Sequence, residues 1–307
     1  MRRLAAIDVG TNTIRMLVAE PGVRRTVPVA RRRSIVGLGR RLRETGRIGE
    51  AEFEAGLRVL REFRRELERT GVVAYRACGT ACLREAENRA AFVEAAAGEG
   101  IDLEVIGPAE EARLTWEGIR VEIAGRPGDV AMDIGGGSTE FVIGPREGES
   151  ISLPTGVVVL STLLPLSDPP EPWELRAVSY YAGRRIEDGT RRFGRRKFHR
   201  LIGTAGTFTT LAAMERGMTR YDPDRINGST LSGAAVRGWA DRLGRMTDAQ
   251  RLRVPGMEKG RERYVLPGVL LIVAALERFR LNRVTVSDAG LLEGILAEVR
   301  GNGGEEG

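Results

Sequence analysis

An internal repeat constrains this chain more than any other feature of its sequence. Residues 6–18, AIDVGTNTIRMLV, reappear 125 positions later as residues 131–143, AMDIGGGSTEFVI. Asp8 falls on Asp133, Gly10 on Gly135, Thr13 on Ser138 and Arg15 on Glu140. Identities are few. What the copies share is a plan: an apolar run ending near Asp, a tight turn of Gly, Thr, Asn or Ser, then a second apolar run, as in two strands joined by a turn. Each copy opens its own alternation of strands and helices, which makes the chain α/β with two related halves. A length of 307 residues accommodates two domains of ordinary size.

In the first half, Phe53, Leu57, Leu60, Phe63 and Leu67 recur at helical spacing and predict a helix over 50–70, stopped by Gly71. Strands are expected over 34–38, 72–77 and 101–106. Helices are expected over 88–97, capped by Asn88, and over 108–121, with Pro108 in the first turn. Residues 124–128, AGRPG, form the expected linker. The second half restarts with strands over 130–134 and 139–143, a DPPEP loop at 168–172, a helix over 174–192, a strand over 200–203 and a helix over 208–216.

Composition excludes some classes. The chain is 42% apolar and 29% charged, which fits neither a disordered chain nor a membrane protein. Its net charge of +6 and pI near 9.9 suit an anionic partner. Only two of the 48 basic residues are Lys, however, so a coding preference for Arg accounts for the excess equally well. Cys78, Cys82 and the lone His199 offer too few ligands for zinc and no disulfide framework. Buried reduced thiols in a cytoplasmic protein are expected. Asp8 arrives before a signal-peptide apolar region can form, and Pro267 and Gly268 interrupt the longest apolar stretch, 265–276.

The repeated turns carry the chemistry. A turn between two strands leaves backbone N–H groups without ladder partners, and glycine lets an anion approach them. The expected phosphate-binding residues are Gly10, Thr11, Asn12 and Thr13 in the first copy, and Gly135, Gly136, Gly137, Ser138 and Thr139 in the second. The hydroxyls of Thr11, Thr13, Ser138 and Thr139 can add hydrogen bonds. Bare carboxylates would repel phosphate, so Asp8, Asp133 and Glu140 imply a bridging Mg²⁺ or another divalent cation. A third turn, Gly203–Thr207, includes Gly206 and Thr207. It reads as an anion site at a helix start or as an ordinary strand–helix connection.

Taken together, these segments resemble the exopolyphosphatase and guanosine pentaphosphate phosphatase (Ppx/GppA) family, a branch of the actin, heat-shock 70 and sugar-kinase superfamily. The resemblance runs through nearly the whole chain. It includes AAIDVGTNTIRMLV, GTACLR at 79–84 with Asn88 and Phe92, IGPAEEARL at 106–114, MDIGGGSTEFVIG, SLPTG at 152–156, GTAGTFTTLA from Gly203 and SDAGLLEGIL from Ser287. It implies a duplicated actin-like (RNase H-like) α/β fold with an interdomain cleft. Domain I would span 1–123, with a closing helix at about 288–300 packing back on it. Domain II would span 124–287, and 301–307 would be a disordered tail.

The resemblance also implies roles. Glu111, the second of two adjacent glutamates, would be the catalytic base, and Arg84 would hold a substrate phosphate. Asp133 and Glu140 would serve the metal. Without it, Glu110 and Glu111 read as first-turn acids favoured by the helix dipole. The expected reaction is hydrolysis of a terminal phosphoanhydride of inorganic polyphosphate, with guanosine pentaphosphate as the alternative substrate. Neither DNA, RNA nor membrane is an expected partner, and a homodimer is an option. Val159 and Arg263 stand where the family often has Arg and Asp, which bears on substrate preference. The chain ends before the C-terminal His-Asp domain of longer relatives, so it reads as a short form. A kinase of the same superfamily and a non-catalytic phosphate sensor are the rival classes. Arg191 to Lys197 with Arg31 to Arg33 can guide a polyanion, although solvated charge explains them too.

Overall fold

The computed structural model describes residues 2–22, 26–144, 149–194 and 196–302. Its strands form two sheets. The first contains β1 (Arg3–Val9), β2 (Thr13–Glu20), β3 (Val27–Ile35), β4 (Val72–Gly79) and β5 (Leu103–Val105), in the order β3-β2-β1-β4-β5. The second contains β6 (Asp129–Ile134), β7 (Thr139–Ile143), β8 (Ser150–Leu153), β9 (Arg200–Thr204), β10 (Thr230–Ser232) and β11 (Arg283–Val286), in the order β10-β11-β9-β6-β7-β8. In each sheet three antiparallel strands lead into two parallel ones, β1 to β4 and β5, and β6 to β9 and β11. The second sheet therefore repeats the first strand for strand, with β10 added at its edge. This is the actin-like α/β plan.

The repeat extends to single bonds. Gly10 N–H donates to Thr13 O at 3.0 Å, and Gly135 N–H donates to Ser138 O at 3.0 Å. The chain divides into two compact units. One takes the described residues up to Val121 and those from Gly290 on; the other is Glu122–Ala289.

Alternation along the strands explains why the first unit needs helices on both faces of its sheet. Ala5, Ile7 and Val9 of β1, with Ile14, Met16 and Val18 of β2, pack with Leu57, Leu60, Phe63 and Leu67 of the helix Glu50–Thr70. Leu4, Ala6, Leu17 and Ala19 pack on the opposite side with Leu291, Leu292, Ile295, Leu296 and Val299 of the helix Leu291–Asn302. That helix also crosses Pro108–Glu122 with its backbone in close approach, and a Cβ at Gly294 would collide with the Leu114 carbonyl. Gly294→Ala is therefore expected to destabilise this unit by about 1–3 kcal/mol, read as a lower melting temperature in a thermal scan. An unchanged melting point would mean the helix pair can separate at no cost.

Several expectations need correction. The third strand covers Val27–Ile35 rather than 34–38, because Val36 and Gly37 donate their N–H groups to Asn12 O at 3.0 and 2.9 Å. Its exposed Arg31–Arg33 run puts charge on both faces of an edge strand and carries little hydrophobic signal. Asn88 does not cap its helix; its side chain grips Ile48, accepting from the N–H at 2.9 Å and donating to the carbonyl at 3.0 Å. The helix expected from 174 begins at Pro172, fixed by a capping box between Glu171 and Glu174. β8 and the helix Val157–Leu163 were not expected. The last helix starts at Leu291 and includes Gly301 and Asn302, whereas 303–307 lie outside the described residues. Among the described residues, no helix is long and apolar enough to cross a membrane.

Candidate active site

Three expected elements of the first unit meet at one edge of its sheet. β1, β4 and β5 run parallel with Val9, Gly79 and Val105 in register, so the chain leaves all three strands in the same direction. The Gly10 turn follows β1, Arg84 lies on the short helix after β4, and Glu111 lies on the helix after β5. Open α/β sheets characteristically place ligands at this end of their strands. The second unit repeats the arrangement. The Gly135 turn follows β6 and the Gly206 turn follows β9, with Asp133 and Thr204 paired across the two strands.

The turns keep their carbonyls occupied. Thr11 O accepts from Gly39 N–H at 2.9 Å, and Gly136 O accepts from Val158 N–H at 2.9 Å. Gly137 O accepts from Gly156 N–H at 3.1 Å, the counterpart of the two bonds to Asn12 O. By contrast, the N–H groups of Thr11, Asn12, Gly136 and Gly137 donate to no described residue. Bound carbonyls and unengaged N–H groups give each turn the polarity of an anion nest. The hydroxyls contribute less than their number suggests. Thr139 Oγ1 is buried and donates to Thr155 O at 2.7 Å, while the Thr11 side chain is buried against Gly39. Thr13 is half-buried and Ser138 buried.

Arg84 and Glu111 are in direct contact. Arg84 Nη1 donates to Glu111 Oε2 at 2.6 Å and to Ile106 O at 3.1 Å. Glu111 is only 8% exposed, so its charge is held in a shielded place beside a guanidinium. Its neighbour Glu110 turns the other way, accepting from Arg76 Nη2 at 2.6 Å. Arg76 also binds Glu104 and Glu298, and so ties the start of this helix to β5 and to the closing helix. Adjacent glutamates thus do different work: one anchors the helix and the other faces Arg84.

The two copies differ at their carboxylates. In the first, Asp8 pairs across the strands with Arg15, whose Nε and Nη2 donate to Asp8 Oδ2 at 2.8 and 2.5 Å. In the second, Glu140 replaces Arg15, and Asp133 and Glu140 stand opposite one another on β6 and β7. Ser152 Oγ donates to Glu140 Oε1 at 2.7 Å. Like charges directly opposite destabilise a strand pair, and a hard cation between oxygen donors removes that penalty. Asp133 and Glu140 therefore fit Mg²⁺, which takes few protein carboxylates and completes its shell with water and phosphate oxygens. Asp8, held by Arg15, fits less well. No group of three or more His, Cys, Asp or Glu side chains suited to a metal occurs among the described residues.

The third turn contains a residue not anticipated from the sequence. A Cβ at Gly206 would collide with the guanidinium of Arg261, so glycine is what lets that cation lie on the turn. Ala205, beside it, has φ 67°, a conformation that strains any residue with a side chain. Thr207 is buried and packs against Gly268. Ser152 and Arg15 were also not anticipated as partners of these carboxylates. The only signal was the Arg15–Glu140 mismatch within the repeat; Ser152 and Arg261 reach their places through tertiary packing.

Other expected features lie elsewhere. Arg32 binds Glu66 at 2.6 Å, Arg31 binds Glu293 at 3.0 Å, and Arg196 binds Glu149 through two bonds of 2.8 Å. Much of the basic charge is thus paired within the chain, and Arg195 lies outside the described residues. Cys78 and Cys82 are free and buried, and burial pushes both thiols up to about 12, so they stay protonated. Val159 is buried and Arg263 is exposed.

Duplicated strand turns with unengaged N–H groups, one beside an Arg–Glu pair and the other beside facing carboxylates, define an actin-like protein built to handle phosphate. The chain belongs to the Ppx/GppA phosphatase family, which it matches over residues 17–302. It is 34% identical to Exopolyphosphatase 2 of Mycobacterium tuberculosis (strain CDC 1551 / Oshkosh), over 98% of this chain and 99% of that protein. It is 28% identical to the guanosine-5'-triphosphate,3'-diphosphate pyrophosphatase of Aeromonas salmonicida, over 97% of this chain and 59% of that one. Among solved structures, an exopolyphosphatase from Cytophaga hutchinsonii superposes with a TM-score of 0.89 at 29% identity, covering 98% of both chains. The Aquifex aeolicus Ppx/GppA family member gives 0.83 at 29% identity, covering 100% of this chain and 99% of its own.

Proposed function

We propose that this chain is an exopolyphosphatase, a phosphoanhydride hydrolase that removes orthophosphate from the end of inorganic polyphosphate with the help of a divalent cation. The observation that carries the reading is the Arg84–Glu111 contact of 2.6 Å at the same sheet edge as the Gly10 turn. An acidic proton acceptor, a cation for phosphate and a set of N–H donors are the groups that hydrolysis of a phosphoanhydride requires. Full-length similarity to a protein named exopolyphosphatase supports the substrate class.

In this reading the terminal phosphoryl group lies against the turn N–H groups and draws Arg84 towards its oxygens. Release from Arg84 frees Glu111 to accept a proton from water as the water oxygen attacks phosphorus. The bridging P–O bond breaks, and its electron pair stays with the shortened chain. Asp133 and Glu140 would hold the divalent cation, Mg²⁺ by donor chemistry, which would supply charge neutralisation at phosphate oxygens bound to the turn of their own unit. Arg261 over Gly206, whose Nε donates to Glu258 Oε2 at 2.5 Å, would be a further cation for the polyphosphate once exchanged from that pair. The free, buried thiols of Cys78 and Cys82 suit a reducing cytoplasm.

A phosphate-release panel tests the proposal. Orthophosphate is expected from short and long polyphosphate with Mg²⁺ and not with EDTA. Release from none of polyphosphate, guanosine pentaphosphate or ATP rejects hydrolysis in favour of a sensor. A higher kcat/KM on guanosine pentaphosphate assigns that substrate instead, and phosphate transfer from ATP to a small acceptor reveals a kinase.

A further inference from the structure

The Glu122–Ala289 unit holds a cavity of about 720 Å³ that none of the chemistry above uses. Arg184, Arg191, Arg278 and Arg280 line it, with the exposed Tyr180 among the other lining residues. Two carboxylates, Glu187 and Glu277, share the lining, so cations predominate. The cavity lies at the end of the helix Val265–Phe279, whereas Gly268, near its start, packs on Thr207 of the third turn. Twelve residues of helix separate Gly268 from Arg280, which is about 18 Å at the helical rise. The cavity is therefore distinct from the phosphate turns of its own unit.

These cations differ from the internally paired arginines elsewhere on the chain. Arg278 makes no carboxylate contact among the described residues: its Nη2 donates to Thr190 O at 3.1 Å and its Nε is buried without a partner there. The Arg280 side chain has no partner among the described residues, and the residue adopts φ 56° where it ends the helix. Glycine would take that conformation without strain, and a cation three or four residues earlier would serve the helix dipole as well. Arg184 and Arg191 meet Glu187 and Asp188 only in exposed pairs, at 3.5 and 2.8 Å, of the kind easily exchanged for another anion. Four arginines line this one cavity, and the planar guanidinium group matches the forked oxygens of phosphate.

We propose that this cavity is a second binding site for a phosphoanhydride polyanion, gripping a distal stretch of the chain whose end is hydrolysed elsewhere. The site holds phosphate groups through Arg278 and Arg280, with Arg184 and Arg191 closing from the facing helix Pro172–Gly189 and the turn after it. The link to hydrolysis rests on the function proposed above; the binding itself does not. Two anchor points on one chain raise the effective concentration of its end, so the site favours long substrates over short ones.

The test uses the full chain and the variant Arg184→Gln/Arg191→Gln/Arg280→Gln, with Arg280→Gly as a second variant that relieves the backbone strain. Calorimetric titration with inorganic tripolyphosphate in EDTA is expected to lose one bound ligand per chain in the triple variant and to weaken in Arg280→Gly. With Mg²⁺, KM for long-chain polyphosphate is expected to rise about tenfold in the triple variant, with tripolyphosphate turnover unchanged. Competition by ATP for the lost site, with long-chain KM unaltered, assigns the same site to nucleoside polyphosphates. Identical stoichiometry and affinity in wild type and both variants overturns the proposal, even if polyphosphate hydrolysis is intact. A chain that hydrolyses no polyphosphate but still loses one ligand in the variant retains the site and rejects only the enzymatic reading.

Discussion

Glu111→Gln is expected to lower polyphosphate turnover by roughly 10²–10⁴-fold, the range associated with removing a general base. The amide keeps the size of the side chain and can still accept a hydrogen bond from Arg84, so the fold and substrate affinity are expected to persist. What disappears is a carboxylate able to take the proton of the attacking water. Phosphate release in single turnover, set beside binding of tripolyphosphate in EDTA, separates the two effects. Full turnover in the variant removes Glu111 from the base role. The control is Glu110→Gln, which touches Arg76 rather than Arg84 and is expected to affect stability more than chemistry.

The second large effect is expected at the facing carboxylates. Asp133→Asn or Glu140→Gln should cut Mg²⁺-supported turnover by roughly a hundredfold or more, since a bound cation supplies several kcal/mol at a phosphoryl group. The amount of Mg²⁺ needed for half-maximal rate should rise with it. Stability is expected to move the other way. Asp133 and Glu140 are strand partners of like charge, so neutralising one should raise the metal-free melting temperature by the equivalent of about 0.2–1 kcal/mol. Removing Mg²⁺ from the wild type should abolish turnover, whereas Asp8→Asn should loosen the Arg15 pair and perturb the first strand turn instead. A variant at Asp133 that keeps both rate and metal requirement would reassign the cation.

Local pattern made much of this legible in the sequence. The helix Glu50–Thr70 follows from five apolar residues at helical spacing and ends where Gly71 takes φ 65°. Strands β1, β2, β6 and β7 follow from apolar runs buried on both faces, which need no partner to be recognised. β3 is not legible at its true position because an edge strand carrying Arg31–Arg33 has an exposed, polar pattern. The grip of Asn88 on Ile48 is not legible in the sequence, because a side chain that caps a helix and one that grips a distant loop look alike from neighbouring residues alone.

The sequence by itself determined the duplication, and with it the α/β class, the paired strand turns and the positions where anions can meet backbone N–H groups. It also marked Arg15 and Glu140 as the point where the copies diverge. Tertiary structure alone decided which charge meets which. Arg84 and Glu111 are 27 residues apart and meet only because β4 and β5 end side by side. Arg261 reaches Gly206, and Ser152 reaches Glu140, for the same kind of reason. Repeats and periodicities are set by near neighbours along the chain, whereas an ion pair depends on a few ångströms of separation that only the packed fold fixes.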